Sequence, residues 1–241
     1  VVEQGVHRIH DAARASRQVC DGLDRQMSAI EAEMRRTTAA LSSALDRTET
    51  FLKISESLIE SVAECGVETE DTPYIQAAQQ AAGQIAKLLE DALRTGAITA
   101  QDLFDEQYRP IDGSNPAQHT TRFCALADRL FPQVQEKLLT MSDKVVYCIA
   151  VDRNGYVACH NQKYNHPQRA GDVTWNTANC RNRRIFNDRT GLASARNQRP
   201  FLLQTYRRDM GGGHFIVMKE AAAPISVAGR HWGGLRLAFK F

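Results

Sequence analysis

The sequence predicts an α+β protein in three parts: a long N-terminal coiled-coil helix (1–65), a helical lead-in (66–141), and an antiparallel sheet of about five strands (142–241). Three observations predict it. A 4-3 apolar alternation runs unbroken through the first 62 residues. Apolar stripes of helical period then continue, between loop signals, to about residue 139. From Val145 onward the period becomes two, and glycine-rich turns separate the segments.

The first helix carries the clearest pattern. Its seam reads Val2, Val6, Ile9, Ala13, Ser16, Cys20, Leu23, Met27, Ile30, Met34, Thr37, Leu41, Ala44, Thr48, Phe51, Ser55, Leu58 and Val62. This is the spacing of a left-handed coiled coil, and it would make a rod roughly 90 Å long. It contains no proline, and its only glycines are Gly5 and Gly22. Small and polar seam members such as Ser16 and Thr37 make the coil moderate in strength, as suits a helix that shifts its packing. Cys20 falls on the seam. A long helix of an ordinary bundle is the other reading of the same pattern.

Gly66 and the acidic stretch that follows it end this helix. Thr72-Pro73 starts the next, with a capping hydroxyl and then proline at the first helical position. Ile75, Ala78, Ala82, Ile85 and Leu89 give that helix its apolar face, and Gly96 closes it. Thr99 caps a short helix through Phe104, and residues 105–118 read as a loop on their Pro, Gly and Asn content. A third helix is predicted over Gln118–Leu139.

The sheet region opens with a predicted hairpin: residues 145–152, the turn Arg153-Asn154-Gly155, then residues 156–161. A loop containing Pro167 and Gly171 leads through Trp175 to a crossover over 179–191. The central hairpin turns at Met210-Gly211-Gly212-Gly213, and a last strand alternates Leu235, Leu237 and Phe239 with Arg236 and Ala238. Before the central turn, Leu202, Gln204, Tyr206 and Arg208 share one face, with Leu203, Thr205 and Arg207 on the other. Adjacent arginines split across a sheet, so at least one faces inward.

Composition narrows the function. The net charge of +2 hides an asymmetry: residues 142–241 carry 16 Lys+Arg against 6 Asp+Glu. A basic sheet domain invites an anionic ligand, a membrane surface or nucleic acid, or else faces the acidic helical half. No apolar run is long enough to cross a membrane. The first residue is not methionine, so a fragment of a longer chain is expected. Six scattered cysteines show neither a zinc-ribbon nor a disulfide spacing, which points to buried thiols and a cytoplasmic setting. No GxSxG, HExxH, P-loop or paired-carboxylate pattern is present, so no enzyme is expected. Basic and aromatic residues do not interleave as in a nucleic-acid module.

The candidate ligand-binding residues are Tyr156, His160, Arg183, Arg184, Tyr206, Arg208, Asp209 and Trp232. Tyr156 and His160 share one face of the predicted second strand. A histidine at that strand end donates to a ligand or bonds a loop backbone. Arg181, Arg183 and Arg184 either grip a carboxylate or phosphate in bidentate fashion or pair with Asp188 and Asp209. Tyr206, Arg208 and Asp209 line the same cavity, and Trp232 forms either its wall or part of the core. A metal or haem site would draw on Cys159, His160, Cys180 and His214. The spacing does not support it, so no cofactor is expected.

The segments DRNGYVACHN, CRNRRIFNDRTGL, PFLLQTYRRDMGGGHF and GRHWGGLRL together resemble a C-terminal sensory region of bacterial methyl-accepting chemotaxis proteins. The earlier DTPYI, LFDEQYRPIDGSNP and TTRF segments look like the helical lead-in of the same family, so the resemblance covers roughly residues 50–241. It implies a PAS/Cache-like chemoreceptor input module. Such a module would bind a small molecule, work as a homodimer beside a coiled-coil rod, and report to a chemotaxis kinase and coupling protein. The glutamate- and alanine-rich tip that meets those two partners is not in this sequence. Val157-Ala158-Cys159 stand where members of that family usually carry proline and threonine. Two other readings stay open: a ligand-free docking or dimerisation module, and a metal- or haem-based redox or gas sensor.

Overall fold

The computed structural model describes residues 2–65 and 67–241, without the side chains at 2–6, 9, 59, 60, 63 and 64. The side chains of Val2, Val6 and Ile9 of the predicted seam, and the predicted stop at Gly66, therefore lie outside what is described. The protein is α+β. Among the described residues there are seven α-helices, a four-stranded antiparallel sheet and a two-stranded one.

Residues 1–55 form one compact unit and residues 56–241 a second. Helix α1 (Val2–Glu64) is continuous. Leu23, Met27, Ile30, Met34, Leu41, Phe51 and Leu58 of its seam are each more than half exposed. Those residues recur at 4-3 spacing, so an apolar stripe runs along a helix that buries almost none of it in this chain.

In the second unit, helix α2 (Thr72–Arg94) begins with proline in its first turn and buries Ile75, Ala78, Ala82, Ile85 and Leu89 against the sheet. Tyr74 stacks on Phe239 at 3.9 Å, and Lys219 reaches Asp71 at 2.9 Å. The short helix α3 (Ala100–Leu103) is capped by the Thr99 side chain, as the sequence predicts. The expected third helix is broken up. His119-Thr120 (β2) pairs with Arg109-Pro110 (β1), and helices α4 (Cys124–Leu130) and α5 (Pro132–Leu138) follow. Pro132 has no N–H to donate to the preceding turn, so one helix ends at its approach and another starts on it.

The main sheet runs β3-β6-β5-β4, with β3 Val145–Asp152, β4 Leu202–Asp209, β5 Phe215–Val227 and β6 Arg230–Phe239. The last strand lies beside the first, and the crossover between β3 and β4 carries helices α6 (Val173–Asn179) and α7 (Arg189–Arg196). Trp175, expected in a loop, sits in α6. One sheet face meets α2 and α5 over the larger core; α7 and the crossover cover the other.

The sheet has four ladder strands where about five were expected. Residues 156–161 make only isolated bridges, Ala150 with Cys159 and Tyr156 with Ile185. Side-chain amides take the place of a fifth strand. The Cys148 N–H donates to Asn161 Oδ1 at 2.9 Å, and the Ala150 N–H donates to Gln135 Oε1 at 2.8 Å. These two bonds satisfy the outer edge of β3, which an exposed edge strand would otherwise offer to another chain.

Candidate functional site

Period-two alternation in β4 and β6 builds the site. In β4, Leu203 goes to the helix-side core, while Tyr206 and Arg208 line the opposite, crossover-covered face. In β6, Leu235, Leu237 and Phe239 pack on the helix side, which puts Arg236 on the same face as Arg208. Over that face lies a cavity of about 330 Å³. Tyr147, Ile149, His160, Arg181 and Arg184–Asp188 line it, together with Tyr206–Asp209, Phe215 and Arg236. Five arginines thus line one small chamber. Exposed Asn187, Asp188, Arg207 and Asp209 stand at its mouth.

Arg208 is 1% exposed, yet its Nε and both Nη atoms have no hydrogen-bond partner among the described residues. Its guanidinium carbon lies 4.2 Å from the Tyr164 ring centroid and 5.3 Å from that of Tyr147. The His160 ring stands edge-on to both tyrosines. Ring faces attract a cation but do not replace the hydrogen bonds lost on leaving water.

Arg236 is handled differently. Its guanidinium makes a two-pronged bridge to Glu220, at 2.7 Å and 3.0 Å, in a fully buried setting. Burial alone would lower the pKa of Arg236; the Glu220 carboxylate beside it more than reverses this and raises it. Glu220 also accepts from the Tyr147 hydroxyl at 2.6 Å and from the Ser194 hydroxyl. The Tyr147 proton is therefore committed to Glu220, so Tyr206 donates across the 2.5 Å contact between the two phenols. Burial and then Glu220 push the Tyr206 phenol up to about 12, which keeps that proton in place.

Arg181 is buried and, among the described residues, donates only to backbone carbonyls, Thr177 O at 2.9 Å and Asp209 O at 3.0 Å. Burial first, then Arg208 and Arg184, lower it to about 9. Arg184 is half-buried and donates to Thr177 O; burial lowers its pKa, opposed by the nearby Asp209. His160 is held well below its ordinary value by burial, then by Arg181, Arg208 and Arg236. It is a neutral imidazole whose Nδ1 has no partner among the described residues. The Arg181–Asp209 contact also ties the central hairpin to the crossover. At the hairpin tip, Gly211 has φ +86°, and a Cβ there would lie 2.4 Å from Thr174 O, so only glycine lets the turn seat on α6.

Of the predicted site residues, the structure brings together His160, Arg184, Tyr206, Arg208 and Asp209. Three others lie elsewhere, each for a local backbone reason. Tyr156 packs in the helix-side core and donates to His119 O at 2.9 Å. It does not share a face with His160, because the chain bends at Ala158 and the alternation fails. Arg183 has φ +63°, which turns its side chain away from that of Arg184; it bonds Ala158 O and Asp128 instead. Trp232 is also in the helix-side core, with Nε1 donating to Leu103 O at 3.0 Å and edge contacts to Phe123 and Phe131. A bulge opposite Ile225 and Ser226 shifts the β6 register, so Trp232 does not take the face that a count from Arg236 would assign.

Tyr147 and Arg236 were missed as site residues. The alternation in the last strand was the available signal for Arg236, but a polar face normally reads as solvent-facing. Cys159 and His160 face opposite sides, in the helix-side core and at the cavity. Among the described residues no group of three or more His, Cys, Asp or Glu side chains is placed to hold a metal ion. Among them, too, no helix is long and apolar enough to cross a membrane.

No protein-family model matches the chain, and no curated protein matches it. Among solved structures, an extracellular ligand binding receptor from Desulfohalobium retbaense DSM5692 aligns over 72% of this chain at 17% identity, with a TM-score of 0.29. The chain covers 26% of that protein's length, and a likeness at this level carries no argument about fold or function.

Proposed function

We propose that residues 56–241 are a sensory module that binds a small anion on the crossover-covered face of the sheet, and that the N-terminal helix is the rod along which occupancy is signalled. One observation carries this reading: Arg208, fully buried at the cavity wall with every guanidinium nitrogen lacking a hydrogen-bond partner among the described residues. A protein keeps an uncompensated buried cation at a cost in stability, and that cost is offset when a negative group arrives. The module is read as a binding protein and not an enzyme, with no nucleic-acid partner. Its unpaired cysteines suit a reducing, cytoplasmic compartment.

The sequence resemblance supports a chemotaxis-receptor setting, in which a kinase and coupling protein are engaged by residues other than these. The exposed 4-3 stripe of α1 supports pairing of two copies through that helix. A route for the signal starts at Asp188 on the cavity mouth. Asp188 caps α7, and the next residue, Arg189, lies 3.4 Å from Glu56 near the end of α1. A ligand that draws the crossover toward Arg208 shifts that contact and so biases the packing of the helix.

The test is a thermal-shift screen of the full chain against small acids, amines and neutral solutes. Acids are expected to raise the melting temperature, and the Arg208→Gln variant to lose that response. Stabilisation by neutral or cationic compounds alone would end the reading.

A further inference from the structure

We infer that the ligand is a dianion, carrying two carboxylates or one doubly charged phosphoryl group. This rests on the anion-site reading above and goes one step further, from charge balance. Five arginines line the cavity: Arg181, Arg184, Arg207, Arg208 and Arg236. Three carboxylates answer them. Glu220 is consumed by Arg236 in a buried two-pronged bridge. Asp209 lies close enough to act on Arg184, and Asp188 stands at the exposed mouth with Arg207, whose guanidinium rests over the Phe215 ring. Arg181 and Arg208 remain. Both are buried, and neither touches a carboxylate among the described residues.

Their mutual repulsion is visible in the downward push that Arg208 exerts on Arg181. His160 does not change the count, since burial keeps it neutral. Like charges brought close at a semi-buried site repel more strongly than they do in water. A single negative charge therefore leaves one guanidinium uncompensated, and two charges relieve both. Arg208 supplies a planar fork with all of its donors unused, the geometry that carboxylate and phosphate share. The chamber of about 330 Å³ lies at the small end of ligand sites, in keeping with a compact acid. Tyr147 and Phe186 line the cavity beside the arginines and lower the local polarity, which raises the weight of the charge term.

The test is calorimetric titration of the full chain at pH 8 with three probes: succinate, its monomethyl ester and inorganic phosphate. The ester keeps succinate's carbon chain, adds one methyl group and carries one charge fewer. Succinate or phosphate is expected to bind at least about tenfold more tightly than the ester. Whichever of the two binds better identifies the dicarboxylate or phosphoryl source. Arg181→Gln is expected to reduce dianion affinity to the level of the ester, and Arg208→Gln to abolish binding of all three; two variants at separate positions guard against one that misfolds. If the ester binds as tightly as succinate while Arg208→Gln still abolishes binding, the dianion inference falls and the anion site stands. If none of the three binds, or if Arg208→Gln binds unchanged, both fall.

Discussion

The guanidinium of Arg208 sits 4.2 Å from the centre of the Tyr164 ring, although Tyr164 lies early in the crossover and Arg208 in the strand that follows it. The tyrosine offers the arginine a ring face but no acceptor oxygen, and none of its nitrogens finds one elsewhere among the described residues. Arg236, on the same sheet face, is fully matched by Glu220. Two buried arginines in one chamber are thus treated in opposite ways. One is part of the scaffold, and the other is poised for a guest.

That contrast predicts the effect of removing Arg208. Arg208→Met deletes an unmatched buried charge and keeps most of the volume. The unliganded protein is expected to gain about 1–3 kcal/mol, a rise of several degrees in melting temperature for a body of this size. Differential scanning calorimetry of the two proteins checks it. A lower melting point would mean that the ring contacts outweigh the desolvation of the charge.

The opposite result is expected at Glu220. Glu220→Gln leaves Arg236 buried without its counter-ion and weakens the acceptor used by Tyr147 and Ser194. A loss of about 3–5 kcal/mol follows from breaking one half of such a pair. Urea denaturation measures it, and an unshifted midpoint would show that the bridge adds no net stability.

Asp152 sets a pH dependence on the helix-covered side. It accepts from the Tyr108 hydroxyl at 2.6 Å and from the Asn154 and Tyr156 N–H groups. Burial outweighs these bonds and raises its carboxyl to about 6. Its folded pKa lies above the unfolded value of about 3.9, so the folded state holds the proton more tightly. The resulting stability is present in full below about pH 4 and is lost as pH rises through about 6, on the order of 3 kcal/mol. Urea midpoints of the wild type and Asp152→Asn from pH 4 to 7 check the sign. The variant's advantage is expected to widen with rising pH, and a constant difference would show that Asp152 does not titrate in that window.

Cys20 reports on the rod. It is exposed and falls on the 4-3 seam of α1. In a parallel, in-register pair of helices the two Cys20 thiols face each other. Mild oxidation in a Cys65→Ser background is expected to give a covalent dimer on a non-reducing gel, and Cys20→Ser is expected to remove it. A monomer under oxidation, with monomer mass by light scattering, would exclude that pairing.

The sequence by itself determined several features that depend on regular spacing along the chain. The long helix, the Thr99 cap, the proline start of α2 and the inward aim of one of the adjacent Arg207 and Arg208 all follow from spacing and from local backbone preference. Tertiary structure decided whatever a single backbone irregularity or a distant partner controls. The bend at Ala158 separates Tyr156 from His160, the left-handed backbone at Arg183 turns it from Arg184, and the β6 bulge takes Trp232 out of the site. A one-residue irregularity reverses the side-chain face, and no periodic pattern marks where it falls. Long-range pairing was equally hidden: that Glu220 satisfies Arg236 while Arg208 is left unmatched depends on which groups the sheet register and the crossover bring within a few ångströms, and charge pairing is a property of distance in space, not of separation in sequence.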